Sequence, residues 1–333
     1  MSKRRLIAIE AGILAAGAVV LFLVVAWPFN SGATPAGPAA RAGTPAPSAG
    51  PLLASVQTGT HPQERPSPAV QQPDGCGPAL DGEFLAANQV LSYYGNPYTP
   101  DMGILGELEP AQLVERLQAH ARTYDALNGV RGVQPALHLV YATAQEQPGR
   151  QGLYLLYVDD KTLNEYIDLA CREGMLIFLD LQIGRSDVAS EVRKVLPYLG
   201  RRHVHLALDP EFAMAEGEVP GQEIGSLDAE DVNAAQRLVQ QLVEDNGLPD
   251  KIIIVHQFLH EMLTRPELIE DYPRIRLVVD MDGFGPAEIK QVKYGWFALP
   301  AEYAGIKLFF QQDPDLMSED DVLKLTPDVI IYQ

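Results

Sequence analysis

Beyond residue 85 the chain alternates between two hydrophobic patterns. Short, nearly continuous apolar runs end in polar residues, and each is followed by a stretch with helical periodicity. The apolar runs predict eight strands, at 89–95, 136–143, 175–182, 203–209, 251–257, 275–282, 305–311 and 328–332. The periodic stretches predict helices over 111–127, 162–172, 187–199, 229–246, 261–271 and 319–325. Such alternation is typical of a parallel sheet covered by helices.

Eight strand–helix units in about 250 residues predict a (βα)8 TIM-like barrel. An open nucleotide-binding sheet is the alternative, but no glycine-rich dinucleotide motif follows the first strand and no phosphate-binding loop occurs. Because the chain stops at Gln333, directly after the last predicted strand, we expect the barrel to lack its last helix. Residues 81–88 are expected to cover that gap.

A different pattern precedes the barrel. Three basic residues at positions 3–5 come before an apolar run over 6–28, which is long enough to cross about 30 Å of hydrocarbon. This run exceeds the roughly 7–15 apolar residues of a signal peptide, although a long signal peptide cleaved after residues 31–33 remains the alternative. The basic residues predict that the N-terminus is cytoplasmic and that the rest lies outside the cell membrane.

The predicted organisation therefore has four parts. A basic cytoplasmic tail (1–5) leads into a single transmembrane helix (6–28), which acts as a signal anchor. A linker (29–80) rich in Pro, Ala, Gly and Ser is expected to be disordered, because it cannot bury enough apolar surface to order itself. The barrel domain (81–333) follows on the outer side of the membrane.

Composition excludes several classes of function. The 25 Lys and Arg against 44 Asp and Glu give a net charge of −19, which argues against nucleic acid as a partner. The two cysteines exclude a four-thiolate zinc site. Cys76 precedes the first strand and Cys171 ends the helix before the third, so both fall at the same end of the barrel. In an oxidising exterior they could form a disulfide; the alternative is two free thiols with Cys171 buried.

Acidic residues end three of the predicted strands. Barrel active sites lie at the C-terminal strand ends, where side chains alternate between the two faces of the sheet. Asp209 and Glu211 therefore share one face of the fourth strand, and Asp280 and Asp282 share one face of the sixth. We expect Asp209 and Glu211 to face the barrel axis together with small Ala207, while the alternating leucines face the helices.

Paired carboxylates suit the cleavage of glycosidic bonds, in which one acid protonates the leaving oxygen. Glu211 is the predicted proton donor, Asp209 its orienting neighbour, and Asp280 or Asp282 the opposing carboxylate. Tyr and Gln side chains stack on sugars and hydrogen-bond to their hydroxyls. The candidate substrate-binding residues are Tyr93, Tyr94, Asn96, Tyr141, Asp180, Gln182, His256, Gln257, Gln311, Gln312 and Tyr332.

The run Leu206-Ala207-Leu208-Asp209-Pro210-Glu211 resembles the Asp-x-Glu strand end of barrel glycosidases, including Chalaropsis-type lysozymes and chitinase-like barrels. The resemblance implies catalytic roles for Asp209 and Glu211, and a polysaccharide or peptidoglycan as partner. The chitinase pattern has a further acidic residue where this chain has Ala207. The lysozyme pattern has an Asp at the end of the first strand, where this chain has Tyr93-Tyr94-Gly95-Asn96. As a whole it is most similar to extracytoplasmic barrel proteins of bacteria, which implies no particular activity.

Two other functions stay open. A carbohydrate-binding or envelope-scaffolding barrel would bind its partner at the mouth, the opening at the C-terminal strand ends, but would have no catalytic activity. A phosphodiesterase would bind Mg²⁺ or Ca²⁺ through the carboxylates, but Arg185 is the main cation expected near the mouth. His256, His260 and Glu261 do not have the His-Glu-x-x-His spacing of a zinc protease. The sequence analysis therefore assigns no metal and no cofactor.

Overall fold

The computed structural model describes residues 76–298 and 301–333. The predicted transmembrane helix and nearly all of the predicted linker lie outside these residues. Among the residues that are described, no helix is long and apolar enough to cross a membrane.

Eight parallel strands form a closed barrel, as predicted. In chain order they are β1 Asn88–Gly95, β2 Gly132–Ala144, β3 Leu176–Gly184, β4 Val204–Ala213, β5 Lys251–Gln257, β6 Ile275–Met281, β7 Tyr303–Leu308 and β8 Val329–Tyr332. Each strand pairs with its neighbour in sequence, and β1 closes the barrel by pairing with both β2 and β8. A short strand, Leu155–Tyr157, pairs antiparallel with the end of β2.

Helices cover the outside of the barrel. They are α1 Pro110–Leu127, α2 Asp160–Arg172, α3 Val188–Leu199, α4 Ala229–Asn246, α5 Ala287–Phe297 and α6 Glu319–Leu323, with additional single turns at Phe84–Ala87 and Ile104–Glu107. Helix α5 is not among the predicted helices. No helix follows β8 within the described residues.

The helix predicted over 261–271 is wrong. The segment contains two 3₁₀ turns, His260–Met262 and Pro266–Leu268, around a short strand, Leu263–Thr264, that pairs with Leu227–Asp228. Proline lacks an N–H and disfavours the α conformation of the residue before it. Arg265, directly before Pro266, has a left-handed backbone with φ 51°. The apolar periodicity is real, but the proline prevents one continuous helix.

The strands separate two apolar layers, and the alternation along β4 is the predicted one. Leu206 and Leu208 lie in the large layer between strands and helices, whereas Ala207 lies inside the barrel. Leu80, Phe84 and Leu85 belong to the inner layer. Part of the segment expected to cover the gap beside β8 therefore packs into the barrel interior at its N-terminal end.

A disulfide joins Cys76 to Cys171, whose Cα atoms are 4.6 Å apart. This is the first of the two alternatives that the sequence left open. The bond connects the start of the described chain to the end of α2, at the N-terminal end of the barrel, and thus lies opposite the mouth.

Candidate active site

The middle and C-terminal parts of the strands bring six polar side chains together inside the barrel. We call this group the interior polar cluster; it consists of His138, Asp180, His256, Asp280, Asp282 and Lys307. All six are buried. Three of them, Asp180, Asp280 and Asp282, stand on two of the three acidic strand ends that were expected to converge, and both of these strand ends contact His256.

His256 is the centre of the cluster. Its Nδ1 lies 2.9 Å from Asp280 Oδ2 and 3.5 Å from Asp282 Oδ2. On the other side of the ring, Nε2 lies 3.4 Å from Asp180 Oδ2. The neighbouring strand leaves room for this arrangement, because a Cβ on Gly305 would lie 2.8 Å from Asp280 Oδ1. A glycine at this position of β7 therefore lets Asp280 reach His256.

Lys307 supplies a positive charge inside the barrel. Its Nζ lies 3.0 Å from Asp282 Oδ2 and 3.6 Å from the centre of the Tyr94 ring, in a cation–π contact. Burial would lower the pKa of Lys307, but Asp282 and Asp209 outweigh it and raise this pKa above its ordinary value. The expectation that Arg185 is the main cation near the mouth is therefore wrong.

Asp209 and Glu211 extend from the next positions of β4 toward the mouth. Asp209 is buried, and Glu211 is half-buried. Asp209 Oδ1 accepts a hydrogen bond from the backbone N–H of Glu211 (3.1 Å), while Gln182 Nε2 donates to Asp209 Oδ2 (3.4 Å). The loop after β4 folds back on the strand, since the Gly225 N–H donates to the Glu211 carbonyl at 2.6 Å. These bonds fix the end of β4 on which both carboxyl groups stand.

The carboxyl groups differ in acidity. Burial, and then the charge of Asp180, raises the pKa of Asp209 to about 7. Burial, Asp209 and Asp282 together raise the pKa of Glu211 well above its ordinary value. Burial acts on Asp180 in the same direction, but the imidazoles of His256 and His138 outweigh it and hold its pKa below the usual range. The raised pKa values favour the protonated forms of Asp209 and Glu211, whereas the lowered pKa favours the ionised form of Asp180.

The two histidines of the cluster also differ. Burial would lower the pKa of His256, but Asp180, Asp280 and Asp282 surround the ring and raise this pKa well above its ordinary value. For His138 burial prevails and lowers the pKa to about 4, despite the nearby Asp180. The two shifts therefore favour the imidazolium form of His256 and the neutral form of His138.

Three predicted substrate-binding tyrosines do not reach the mouth. Tyr93, Tyr141 and Tyr332 lie in the layer between strands and helices. The Tyr332 hydroxyl is 2.8 Å from that of Tyr124 on α1, and the Tyr93 hydroxyl is 3.1 Å from His120 Nδ1 on the same helix. The physical reason is strand alternation, because residues next to an inward-facing position point outward.

The side-chain amides that were predicted to bind substrate lie in two kinds of environment. Asn96 Nδ2 donates to the Val140 carbonyl (3.2 Å) and Gln257 Nε2 to the Leu259 carbonyl (3.1 Å), so both hold loops at the strand ends. β7 ends at Leu308, three residues before the predicted end. Gln311 and Gln312 therefore lie exposed in the following loop rather than on the strand.

Sequence reasoning missed His138 and Lys307. Each is a charged or polar residue within an apolar strand, in Leu137-His138-Leu139 and in Ile306-Lys307-Leu308. Polar residues at such positions are buried only when they have partners, and that interruption of the apolar run was the available signal. His260 does not join His256; it is exposed and packs against Trp296 and Phe297.

Comparisons with known proteins place this chain in no family. No family model matches it, and no curated protein matches it. Similar solved structures include a mutant form of Thermotoga maritima Cel5A in complex with cellobiose; the identity is 11%, 75% of this chain and 89% of that chain are covered, and the TM-score is 0.40. Another is XEG5A, a GH5 xyloglucan-specific endo-β-1,4-glucanase from a metagenomic library in complex with cellotriose, with 12% identity, coverage of 78% and 86%, and a TM-score of 0.37.

Proposed function

We propose that the barrel is a glycoside hydrolase that cleaves polysaccharide of the cell envelope or the extracellular space by carboxylate acid–base chemistry. The observation that supports this most directly is the contrast in acidity at the mouth. Asp209 and Glu211 have raised pKa values, while Asp180 is held ionised. Neighbouring carboxyl groups with divergent pKa values are what an acid–base pair requires.

Glu211 is the proton donor in this proposal. It is the more exposed of the two β4 carboxyl groups, and its raised pKa keeps a proton available near neutral pH. Asp209 orients it through the bond to the Glu211 backbone N–H. The Asp282 carboxylate, paired with Lys307, is the opposing negative group that would stabilise an oxocarbenium-like centre.

The change that tests this proposal is Glu211→Gln, made in the purified full chain and assayed on labelled polysaccharides and peptidoglycan. We expect hydrolysis to fall by about 10²- to 10⁴-fold, because the amide cannot donate the proton. The wild-type rate should decline as pH rises through the Glu211 pKa, and the raised pKa places that decline above the roughly 4.3 of an ordinary Glu.

Glu165→Gln is the matched control, since Glu165 is exposed on α2. It should keep the wild-type rate and pH profile. A Glu211→Gln protein with full activity would contradict the assignment of the acid. Tight binding of a glycan that is never cleaved would instead support the non-catalytic binding barrel and contradict the enzyme.

We further propose that the barrel works outside the cell, tethered by residues 6–28. The disulfide supports this location, because such bonds persist mainly in oxidising compartments. Protease added to intact cells should digest the barrel while a cytoplasmic marker protein stays whole. A barrel that is digested only after lysis would contradict the proposed orientation.

A further inference from the structure

Three ligand-type atoms converge on one point inside the interior polar cluster. Asp180 Oδ2 lies 3.5 Å from His138 Nε2 and 3.4 Å from His256 Nε2. The three residues offer ligand atoms that all lie within 4.8 Å of one another. All three side chains are fully buried, and they come from three different strands, β2, β3 and β5.

These atoms contact one another without forming well-shaped hydrogen bonds. Among the described residues, no hydrogen bond of ordinary geometry reaches either ring nitrogen of His138, either carboxylate oxygen of Asp180, or His256 Nε2. His138 Nε2 and His256 Nε2 are only ion-pair neighbours of Asp180 Oδ2. Buried polar atoms nearly always form hydrogen bonds, so five such atoms without a hydrogen bond in one place call for an explanation. The separations of 3.4 and 3.5 Å are also long for hydrogen bonds to a carboxylate, which are about 2.7–2.9 Å.

The same separations fit ligands around a metal ion. Metal–nitrogen and metal–oxygen bonds to zinc are about 2.0–2.1 Å, so two ligands at a tetrahedral angle are about 3.3–3.4 Å apart. The other side of His256 is also arranged as in metal sites, because its Nδ1 contacts the Asp280 carboxylate at 2.9 Å. Such a carboxylate fixes the ring and directs the opposite nitrogen at the ion.

We propose that His138 Nε2, Asp180 Oδ2 and His256 Nε2 bind one divalent transition-metal ion of the Zn²⁺ type. Two imidazoles and one carboxylate favour such an ion over Mg²⁺ or Ca²⁺, which prefer oxygen ligands. Three protein ligands leave a fourth position for water or substrate. Asp180 pairs in register with Ala207 of β4, so Asp209 is the next inward-facing residue of that strand toward the mouth.

This site rests on ligand geometry and does not depend on the proposed glycosidase activity. A bound ion would act as a Lewis acid or activate a water molecule below Asp209 and Glu211. These ligands differ from both metal sites that the sequence suggests, which are carboxylates alone or His256 with His260. His138 interrupts an apolar strand, but the sequence alone does not show that Asp180 and His256 lie beside it.

The proposal is tested by metal binding to the purified full chain. Protein stripped with a chelator is titrated with Zn²⁺ by calorimetry, its metal content is measured after desalting, and Co²⁺ is added as a spectroscopic probe. We expect one ion per chain and the strong visible absorption of four-coordinate Co²⁺. Asp280→Asn should lower the affinity by about 10- to 100-fold, because it removes the carboxylate that holds His256.

His138→Gln removes one ligand and should weaken binding by more than tenfold. Its matched control is His205→Gln, which changes another fully buried histidine, whose Nδ1 accepts the Ile252 N–H. The control should keep the wild-type affinity. If His138→Gln fails to fold, the Asp280→Asn titration and the Co²⁺ spectrum still decide the question.

Two results would overturn the site. One is a wild-type protein that binds no Zn²⁺ after chelator treatment, which would leave His256 as an imidazolium held between Asp180 and Asp280. The other is equal affinity in the wild type, His138→Gln and Asp280→Asn, which would place the ion elsewhere on this acidic protein. Hydrolytic activity enters neither result, so failure of the metal site and failure of the proposed function are distinguishable.

Discussion

At the scale of single residues, the barrel interior depends on the pairing of buried charges. The side chains of Lys307 and Asp282 are 4% and 9% exposed, and their charged atoms are 3.0 Å apart. A buried charge without a partner is strongly destabilising, although the pair as a whole contributes little net stability. Lys307 thus provides the positive charge that the buried carboxylates of the site need.

Lys307→Met keeps an unbranched side chain of nearly the same length and removes its charge. It should lower the free energy of unfolding by about 3–5 kcal/mol, because Asp282 is left buried without its cation. Urea denaturation of metal-free protein, followed by circular dichroism, measures this loss. Lys324→Met is the control, since the Lys324 side chain is 73% exposed and its contact with Asp321 lies at the surface. That variant should stay within about 0.5 kcal/mol of wild type; equal losses in the two variants would contradict the pairing argument.

The carboxyl groups of the site and His256 were predictable from the strand ends, whereas His138 and Lys307 were missed. Strand alternation places Asp209, Glu211 and Asp280 inside as soon as the strands are located. The same rule shows that adjacent Tyr93 and Tyr94 cannot both face the mouth, and only Tyr94 does. Lys307 escaped prediction because a lysine in a short strand is normally exposed, and only the assembled barrel brings Asp282 beside it.

At the scale of elements, hydrophobic periodicity located every strand and most helices. It failed where backbone chemistry overrides it, as at Arg265-Pro266. Helix α4 shows the opposite case, since apolar pattern and capping agree. Asp228 precedes its first turn, accepts the Glu230 N–H, and forms a capping box with Asp231. Thr264 and Arg265 also bind the Asp228 carboxylate, so the segment that failed to form a helix supports the start of another.

Asp228→Ala should therefore destabilise the protein through the start of α4. We expect a loss of about 1–2 kcal/mol in the free energy of unfolding, because the helix N-terminus loses its side-chain acceptor. Asp245→Ala, in the last turn of the same helix, is the control. An acidic group there opposes the helix dipole, so its removal should change stability by less than about 0.5 kcal/mol. Thermal and urea unfolding measure both variants; a larger loss in Asp245→Ala would contradict the capping role.

At the scale of the whole molecule, the C-terminal end of the barrel carries the site and the N-terminal end stabilises the fold. The C-terminal end carries the buried charges of the site, which destabilise a fold unless every partner is in place. The N-terminal end is closed by Leu80, Phe84 and Leu85 inside the barrel and by the disulfide beside it. We infer that this end contributes stability without constraining the chemistry at the mouth.

The double variant Cys76→Ala/Cys171→Ala tests this division. The bond joins residues 95 positions apart, and closing a loop of that length removes much of the conformational freedom of the unfolded chain. We expect its loss to lower the free energy of unfolding by about 2–5 kcal/mol, as measured by urea denaturation. Dithiothreitol should lower the stability of the wild type to that of the variant and leave the variant unchanged.

Under conditions where the variant remains folded, its Zn²⁺ affinity should equal that of the wild type, because the bond lies at the opposite end from the site. A variant as stable as the wild type would show that the disulfide does not stabilise the barrel, and a variant that is folded but has lost its affinity for Zn²⁺ would show that the two ends are coupled.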